Sequence, residues 1–221
     1  LVASYDADGI IHADGGGYVL VQRSHVHNFT KTRFTSTPVL IEHCLLEGMQ
    51  AVGIEFVGAA AIATVSRTTF RNPAGSDGIL FNGATAGLVK HCLVEGMTGT
   101  GIVVQSSTVQ VLGSLVDNCG TGVDVSGSSS VEVRNETLVN CGTALTGNAD
   151  VTNAIIWYAT VPVSGGPAVT FYSDIAQPST NVYPGIENIN RNPFFNDESV
   201  ADYRLTSISP CRATGFGSAD R

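Results

Sequence analysis

What this chain lacks narrows it quickly. Nowhere do ten or more residues space their apolar side chains at three and four, so no substantial helix is expected. No apolar run approaches the ~20 residues that a membrane-spanning helix requires. Basic residues are few, 11 Lys and Arg against 19 Asp and Glu, and the formal net charge of −8 disfavours nucleic acid or an anionic membrane as partner. The five cysteines build no disulfide framework: Cys44 and Cys92 fall two repeats apart, and Cys211 stands without a counterpart. Cys119 and Cys141 fall one repeat apart, about 4.8 Å, within reach of a bridge. Their place in an apolar column with Phe29, Met49 and Met97 favours reduced thiols acting as small hydrophobes. Cysteine usage leaves the redox compartment open.

What the chain has is repetition. Val39-Leu40-Ile41-Glu42-His43-Cys44-Leu45-Leu46-Glu47-Gly48-Met49 returns as Gly87-Leu88-Val89-Lys90-His91-Cys92-Leu93-Val94-Glu95-Gly96-Met97. Looser copies fill residues 39–140 at intervals of roughly 22 to 24 residues, and a fixed period of that length marks a solenoid. Three apolar columns run through it: Ile41, Val65, Val89, Val111 and Val133; Leu46, Phe70, Val94, Val116 and Leu138; Ile54, Ile79, Ile102, Val123 and Leu145. Apolar positions two apart within runs of three to five are strand periodicity. A further column holds Asn28, Gly48, Asn72, Gly96, Asn118 and Asn140, the two residue types that take positive φ at least cost. Three short strands per coil with a left-handed corner predict an all-β, single-stranded parallel β-helix of about seven or eight coils, roughly 35–40 Å long. Its hand is expected to be right.

Residues 1–157 are expected to form the coils and 158–221 a loop-rich closing segment of the same domain, with Trp157 covering the end of the core. The chain enters in mid-pattern, so the first half of a coil is expected before Leu1. With nothing over Leu1-Val2-Ala3, the N-terminal end is expected to associate end to end with other copies or to continue into upstream coils. The outward positions of the Gly-led strand read Ile11, Thr35, Glu55, Leu80, Val103 and Asp124, an apolar face whose two carboxylates stand too far apart for glycosidase chemistry.

One column carries a functional expectation. Arg23, His43, Arg67 and His91 occupy the same corner on four consecutive coils, followed by Gly113 and Asn135. Neighbours about 4.8 Å apart make a strip suited to carboxylate or sulfate groups of an anionic polymer; the competing reading is a solvated corner that accepts any polar side chain. Metal binding is not expected. His25 and His27 alternate outward on one strand without a third ligand. The Asp6-Ala7-Asp8-Gly9 and Asp14-Gly15-Gly16-Gly17 stretches mix Ca²⁺-type ligands at no Ca²⁺-loop spacing and read as turns. Glu136 falls in a column of small inward residues (Ser24, Cys44, Thr68, Cys92, Ser114), and a bulge turning it to solvent is expected, because an unpaired buried carboxylate is costly.

The tail reads Asn188-Ile189, Asn192-Pro193-Phe194-Phe195, Asp202-Tyr203-Arg204-Leu205 and Ser209-Pro210-Cys211. It resembles the closing segment of secreted bacterial right-handed parallel β-helix proteins, N-I…D-P-L-F…D-Y-R-L…S-P-C-I-D-A-G. Asn153-Ala154-Ile155-Ile156-Trp157 is similar to the N-S-I-I-W strand that precedes it, and the coils resemble the pectate-lyase-like repeat. Asn192 and Arg212-Ala213-Thr214 depart from the acids of that pattern. The resemblance implies a secreted or cell-surface protein and a polysaccharide or cell-surface glycan as partner. It implies no single reaction, since such proteins include lyases, epimerases, hydrolases and adhesins. Val39-Leu40-Ile41-Glu42-His43 resembles the V-W-I-D-H stretch of pectate lyases, but no Asn-Thr-Asp, Arg-Ile-Lys or Asp-Pro-His-Asp run is present. Two functions follow as expectations. The first is a non-catalytic extracellular module that binds glycan through Arg23, His43, Arg67 and His91, or serves as a surface scaffold. The alternative is a lyase or epimerase of uronic-acid polymer, with Arg67 neutralising the carboxylate and His43 or His91 abstracting the adjacent proton.

Overall fold

The repeat closes into a three-sided coil because each side is short and each corner bends through a left-handed residue. The computed structural model describes residues 4–5, 11–14, 17–58, 62–72, 76–83, 86–165, 169–177 and 181–212, the first two stretches as backbone only. The Leu1-Val2-Ala3 and Asp6-Ala7-Asp8-Gly9 stretches, Gly15-Gly16 and Ala213-Thr214 lie outside the described residues. The first complete coil has Val19–Gln22 in sheet 1, His25–His27 in sheet 2 and Thr32–Thr35 in sheet 3. Each coil strand pairs in parallel with its equivalent one coil on, giving, among the described residues, eight such strands in each sheet, with one antiparallel strand added to sheet 3. The three apolar columns stack in register, as in Ile41 with Val65, Leu46 with Phe70 and Ile79 with Ile102. Inside, Phe34, Phe56 and Phe81 stack down sheet 3 with ring centroids 5.7 and 5.0 Å apart. Among the described residues the one helical element is a 3-10 turn, Glu198–Val200.

All three corners are left-handed, where one column alone had signalled it. Asn28, Gly48, Gly96, Asn118 and Asn140 form one such corner. Ser36, Gly58, Gly83, Ser106, Gly127 and Gly147 form a second, and the third belongs to Arg23, His43, Arg67, His91, Gly113, Asn135 and Asn153. Asn72, expected in the first of these corners, is not left-handed; it is buried and its amide donates to the Met49 carbonyl at 2.5 Å.

Several expectations need correction. The sheet 3 register pairs Ile11 with Thr32 and Ile54, and Arg33 with Glu55, so Ile11 and Thr35 do not share the outward column with Glu55. For Thr35 the slip is two residues, which preserves the inward-outward alternation and is silent in the pattern; for Ile11 it is one, which puts it in register with Ile54 instead. Coils continue past residue 157, through Val161–Ser164, Val169–Phe171 and Asp174–Ile175 in the three sheets. Trp157 is not over the core end. It pairs with Val139 in sheet 2 and faces outward into a second apolar cluster with Val139, Ile155, Phe195 and Cys211. That cluster is the underside of the tail, which folds back over the outer face of sheet 2. At the other end, the antiparallel strand Ser4–Tyr5 pairs with Ile11–Asp14 and covers the edge of sheet 3.

Candidate functional site

The corner between sheets 1 and 2 carries the strip. Arg23, His43, Arg67 and His91 sit at φ of 46°, 54°, 45° and 53°, and Gly113, Asn135 and Asn153 continue the same corner at 61°, 55° and 55°. Left-handed backbone costs a side chain with a normal Cβ roughly 1–2 kcal/mol, and Gly and Asn escape most of it. The corner then continues through Tyr172 at 51° and Glu187 at 55°, so what sets the first four coils apart is the run of Arg and His rather than the backbone conformation. The positions are also rigid. His43 N–H donates to the Ser66 carbonyl at 3.2 Å, Arg67 N–H to Lys90 at 3.1 Å and His91 N–H to Leu112 at 3.0 Å, so each corner is bonded to the next coil.

The strip is not uniformly cationic. Glu42, on the adjoining edge of sheet 1, accepts from Gln22 at 3.0 Å and from Arg67 at 3.2 Å, and stands 3.9 Å from His43. The Gln22 hydrogen bond, with His43, Ser66 and Arg67 around it, holds the Glu42 carboxyl below the usual range. Arg67 keeps half of its side chain exposed, so its remaining donors face solvent.

Below Arg67 the strip runs into a cleft of about 550 Å³. One side is the corner itself (Arg67, His91, Gly113, Asn135), the floor is the sheet 2 positions Thr69, Leu93 and Leu115, and the other side is residues 201–204 of the tail. Gly113 makes room for His91: a Cβ there would come within 3.0 Å of the imidazole Nδ1. The tail segment is one strand of a hairpin, Phe195–Asp197 with Asp202–Leu205. Arg204 arrives in the cleft already paired, its Nε and terminal nitrogen donating to the two Asp202 oxygens at 2.7 and 2.6 Å. Those bonds, with a third from Asn196, hold the Asp202 carboxyl far below its usual range. Tyr203 donates to Asp117 at 3.2 Å and accepts from Asn140 at 2.7 Å, and burial together with the Asp117 charge pushes its phenol up to about 12.

The structure therefore brings Arg67 and His91 together in one cleft and leaves Arg23 and His43 on the open strip above it. Tyr203 and Arg204 were visible in the sequence only as part of a tail motif. Nothing local signals that they face His91, more than a hundred positions earlier.

A family model described as a right handed beta helix region matches residues 8–161. The chain belongs to the right-handed β-helix family. No curated protein matches it. Among solved structures, the chain has a similarity to QnrB1, a plasmid-mediated fluoroquinolone resistance protein. The identity is 13%, with 73% of this chain and 82% of that chain covered at a TM-score of 0.19.

Behind the cleft, the inner side of the β-helix corner is a polar ladder. The N–H groups of Cys44, Cys92 and Ala154 are satisfied by Thr68, Ser114 and Ser173 hydroxyls one coil on, at 3.3, 3.1 and 3.1 Å. Glu136 takes the same role, Oε1 accepting from Ser114 N–H at 2.8 Å, and it is fully buried. The expected outward bulge is absent: Asn135 and Thr137 keep the regular inter-coil bonds to Thr152 and Ser114. Ala154, the register neighbour of Glu136 one coil on, is small enough to leave it space. Its second oxygen has no partner, and burial pushes the carboxyl well above its usual range.

Two further clusters lie on other faces. On sheet 3, Glu55 is nearly buried between Lys31 at 3.1 Å and Arg33 at 3.5 Å, a charged group hidden from the sequence reading by the register slip. On sheet 2, His25 Nε2 shares a hydrogen bond with Glu47 at 2.7 Å, and its ring stands 5.3 Å from that of His27. Among the described residues no group of three or more ligating side chains stands where it holds a metal. Of the tail's departures from its motif, Asn192 is structurally neutral: its Oδ1 accepts from Phe194 N–H at 2.7 Å, a task an Asp performs equally. Cys211 finds a partner in Asp174, to which its thiol donates at 2.9 Å.

Proposed function

We propose that this β-helix protein is a non-catalytic module, secreted or displayed at the cell surface, that binds an anionic polysaccharide along Arg23, His43, Arg67 and His91. One observation carries the reading: four consecutive coils place an Arg or His at the same corner, each fixed by a backbone hydrogen bond to the next coil. Guanidinium and imidazolium groups at about 4.8 Å spacing match carboxylate or sulfate groups carried by successive sugars. The cleft below the strip adds the Asn135 amide as a donor. The net charge of −8 repels a polyanion at long range, so binding is local, modest in affinity and weakened by salt.

The alternative reading, a lyase or epimerase, draws on the same cleft, where Arg67 is placed to neutralise a uronate and His91 to take the proton next to it. One experiment separates the two. A galacturonic acid hexamer is titrated into wild-type protein and Arg67→Ala by calorimetry, while ultraviolet absorbance reports any unsaturated product. Binding that falls at least several-fold in Arg67→Ala, with no product, is the expected result. Unsaturated product abolished by His91→Ala makes the protein an enzyme, and equal affinities for wild type and Arg67→Ala remove the strip.

A further inference from the structure

The tail hairpin is attached to the β-helix by few contacts. Its two strands share only the pairs Phe195 with Leu205 and Asp197 with Asp202, with an irregularity between them. Its tip, the turn Glu198–Val200, is exposed and buries nothing. Docking rests on Phe195 and Leu205 against the sheet 2 cluster, on a contact of Glu198 with Tyr158 and on a polar closure. In that closure Tyr203 donates to Asp117, Asn140 donates to Tyr203, and Asn140 also donates to the second Asp117 oxygen at 2.8 Å. The Tyr203 ring stands edge-on to Phe195 at 5.2 Å, so the hydroxyl and the apolar anchor act as one unit. This same strand supplies a whole side of the cleft, residues 201–204.

We propose that the hairpin is a detachable wall of the binding cleft, and that its docking through Tyr203, Asp117 and Asn140 is coupled to capture of an anionic sugar between Arg204 and the Arg67–His91 corner. The inference rests on the anionic-glycan reading above. A ligand that touches both walls binds only the docked state, so it stabilises docking, and anything that loosens docking lowers apparent affinity by the fraction undocked. Asp117 is a positioning residue in this scheme: it stands outside the cleft, on the opposite edge of sheet 2, and acts through Tyr203. The Arg204–Asp202 pair travels with the hairpin, so undocking removes the guanidinium together with the phenol.

The test combines hydrogen–deuterium exchange with calorimetric titration of the galacturonic acid hexamer on the whole chain. Wild type, Tyr203→Phe and Asp117→Ala are compared, with exchange of the sheet 1 strands showing that each variant is folded. In wild type the hexamer is expected to slow exchange over residues 195–205. In both variants the free hairpin is expected to exchange faster and affinity to fall about ten-fold, within the range of ordinary coupling. The loss in Asp117→Ala is the informative one, because that side chain does not line the cleft. A sulfated hexamer in place of the uronate tells whether the shared chemistry is carboxylate or anion in general. If the hexamer binds all three proteins alike, or leaves hairpin exchange unchanged, the coupling is wrong while the glycan reading stands. No binding to wild type overturns both.

Discussion

Glu136 offers the sharpest physical test of the fold. Its carboxyl is fully buried, one oxygen accepts from Ser114 N–H at 2.8 Å, and the other has no partner. Burial is the dominant cause that pushes it well above the usual range, with the Ser114 bond opposing. The folded state therefore keeps Glu136 protonated at a pH where the unfolded chain, titrating near 4.3, has released that proton. A group raised on folding contributes its full stability below the unfolded value and loses it as pH rises toward the folded value. Across that window one proton is released on unfolding, so stability falls by about 1.4 kcal/mol per pH unit from this residue alone. Glu136→Gln keeps the shape and an oxygen for Ser114 but cannot ionise. The assay is urea denaturation of both proteins from pH 5 upward, read as the difference in unfolding free energy. The variant should gain on wild type at that slope until the folded-state value is passed, after which the difference is constant. Groups whose folded values are lowered, such as Glu42 and Asp202, act in the opposite direction but equally in both proteins, and cancel. Parallel pH dependences of wild type and variant refute the reasoning, because they place Glu136 in contact with water or a counter-charge.

Other consequences are equally direct. Phe56→Ala removes the middle ring of the Phe34, Phe56 and Phe81 stack and should cost about 3–5 kcal/mol in urea unfolding. Gly101→Ala places a Cβ 2.8 Å from the Gly122 carbonyl oxygen and from Val116 Cγ1, and should cost about 1–3 kcal/mol by overpacking. Thiol titration of the denatured protein without reductant should count five free cysteines and, before denaturation, none, since all five are buried. A count of three means that Cys119 and Cys141 are bridged.

The solenoid was legible because its information is periodic. The Ile41, Leu46 and Ile54 columns each repeat a whole side of the coil, so errors in one copy are outvoted by the others. The corners were harder. Gly and Asn announce a left-handed bend, but the same bend under Arg23, His43, Arg67 and His91 looks like a polar surface column. Its conformation appears only with the backbone. Glu136 was misread for an energetic reason: a charged carboxylate does not belong inside, but a protonated one does the work of the Thr68 and Ser114 hydroxyls. The register of sheet 3 near Arg33 and the facing of Tyr203 on Asp117 depend on loop lengths and long-range docking, about which local pattern is silent. Half of the site, the corner, was readable; the hairpin wall was not.

The central claim is that Arg23, His43, Arg67 and His91 bind an anionic polysaccharide, and its alternating composition makes that claim testable by pH. Histidine is the residue type suited to a charge change between pH 5 and 8 and arginine stays charged, so a comparison across that range isolates any part the two histidines play. The decisive measurement is calorimetric titration of the galacturonic acid hexamer at pH 5.5 and pH 8.0, at fixed low salt, into wild type and a His43→Gln, His91→Gln variant. Tighter binding by wild type at pH 5.5, with the pH difference absent in the variant, is the predicted result. Affinity that is the same at both pH values in wild type, or that changes equally in the variant, contradicts the assignment.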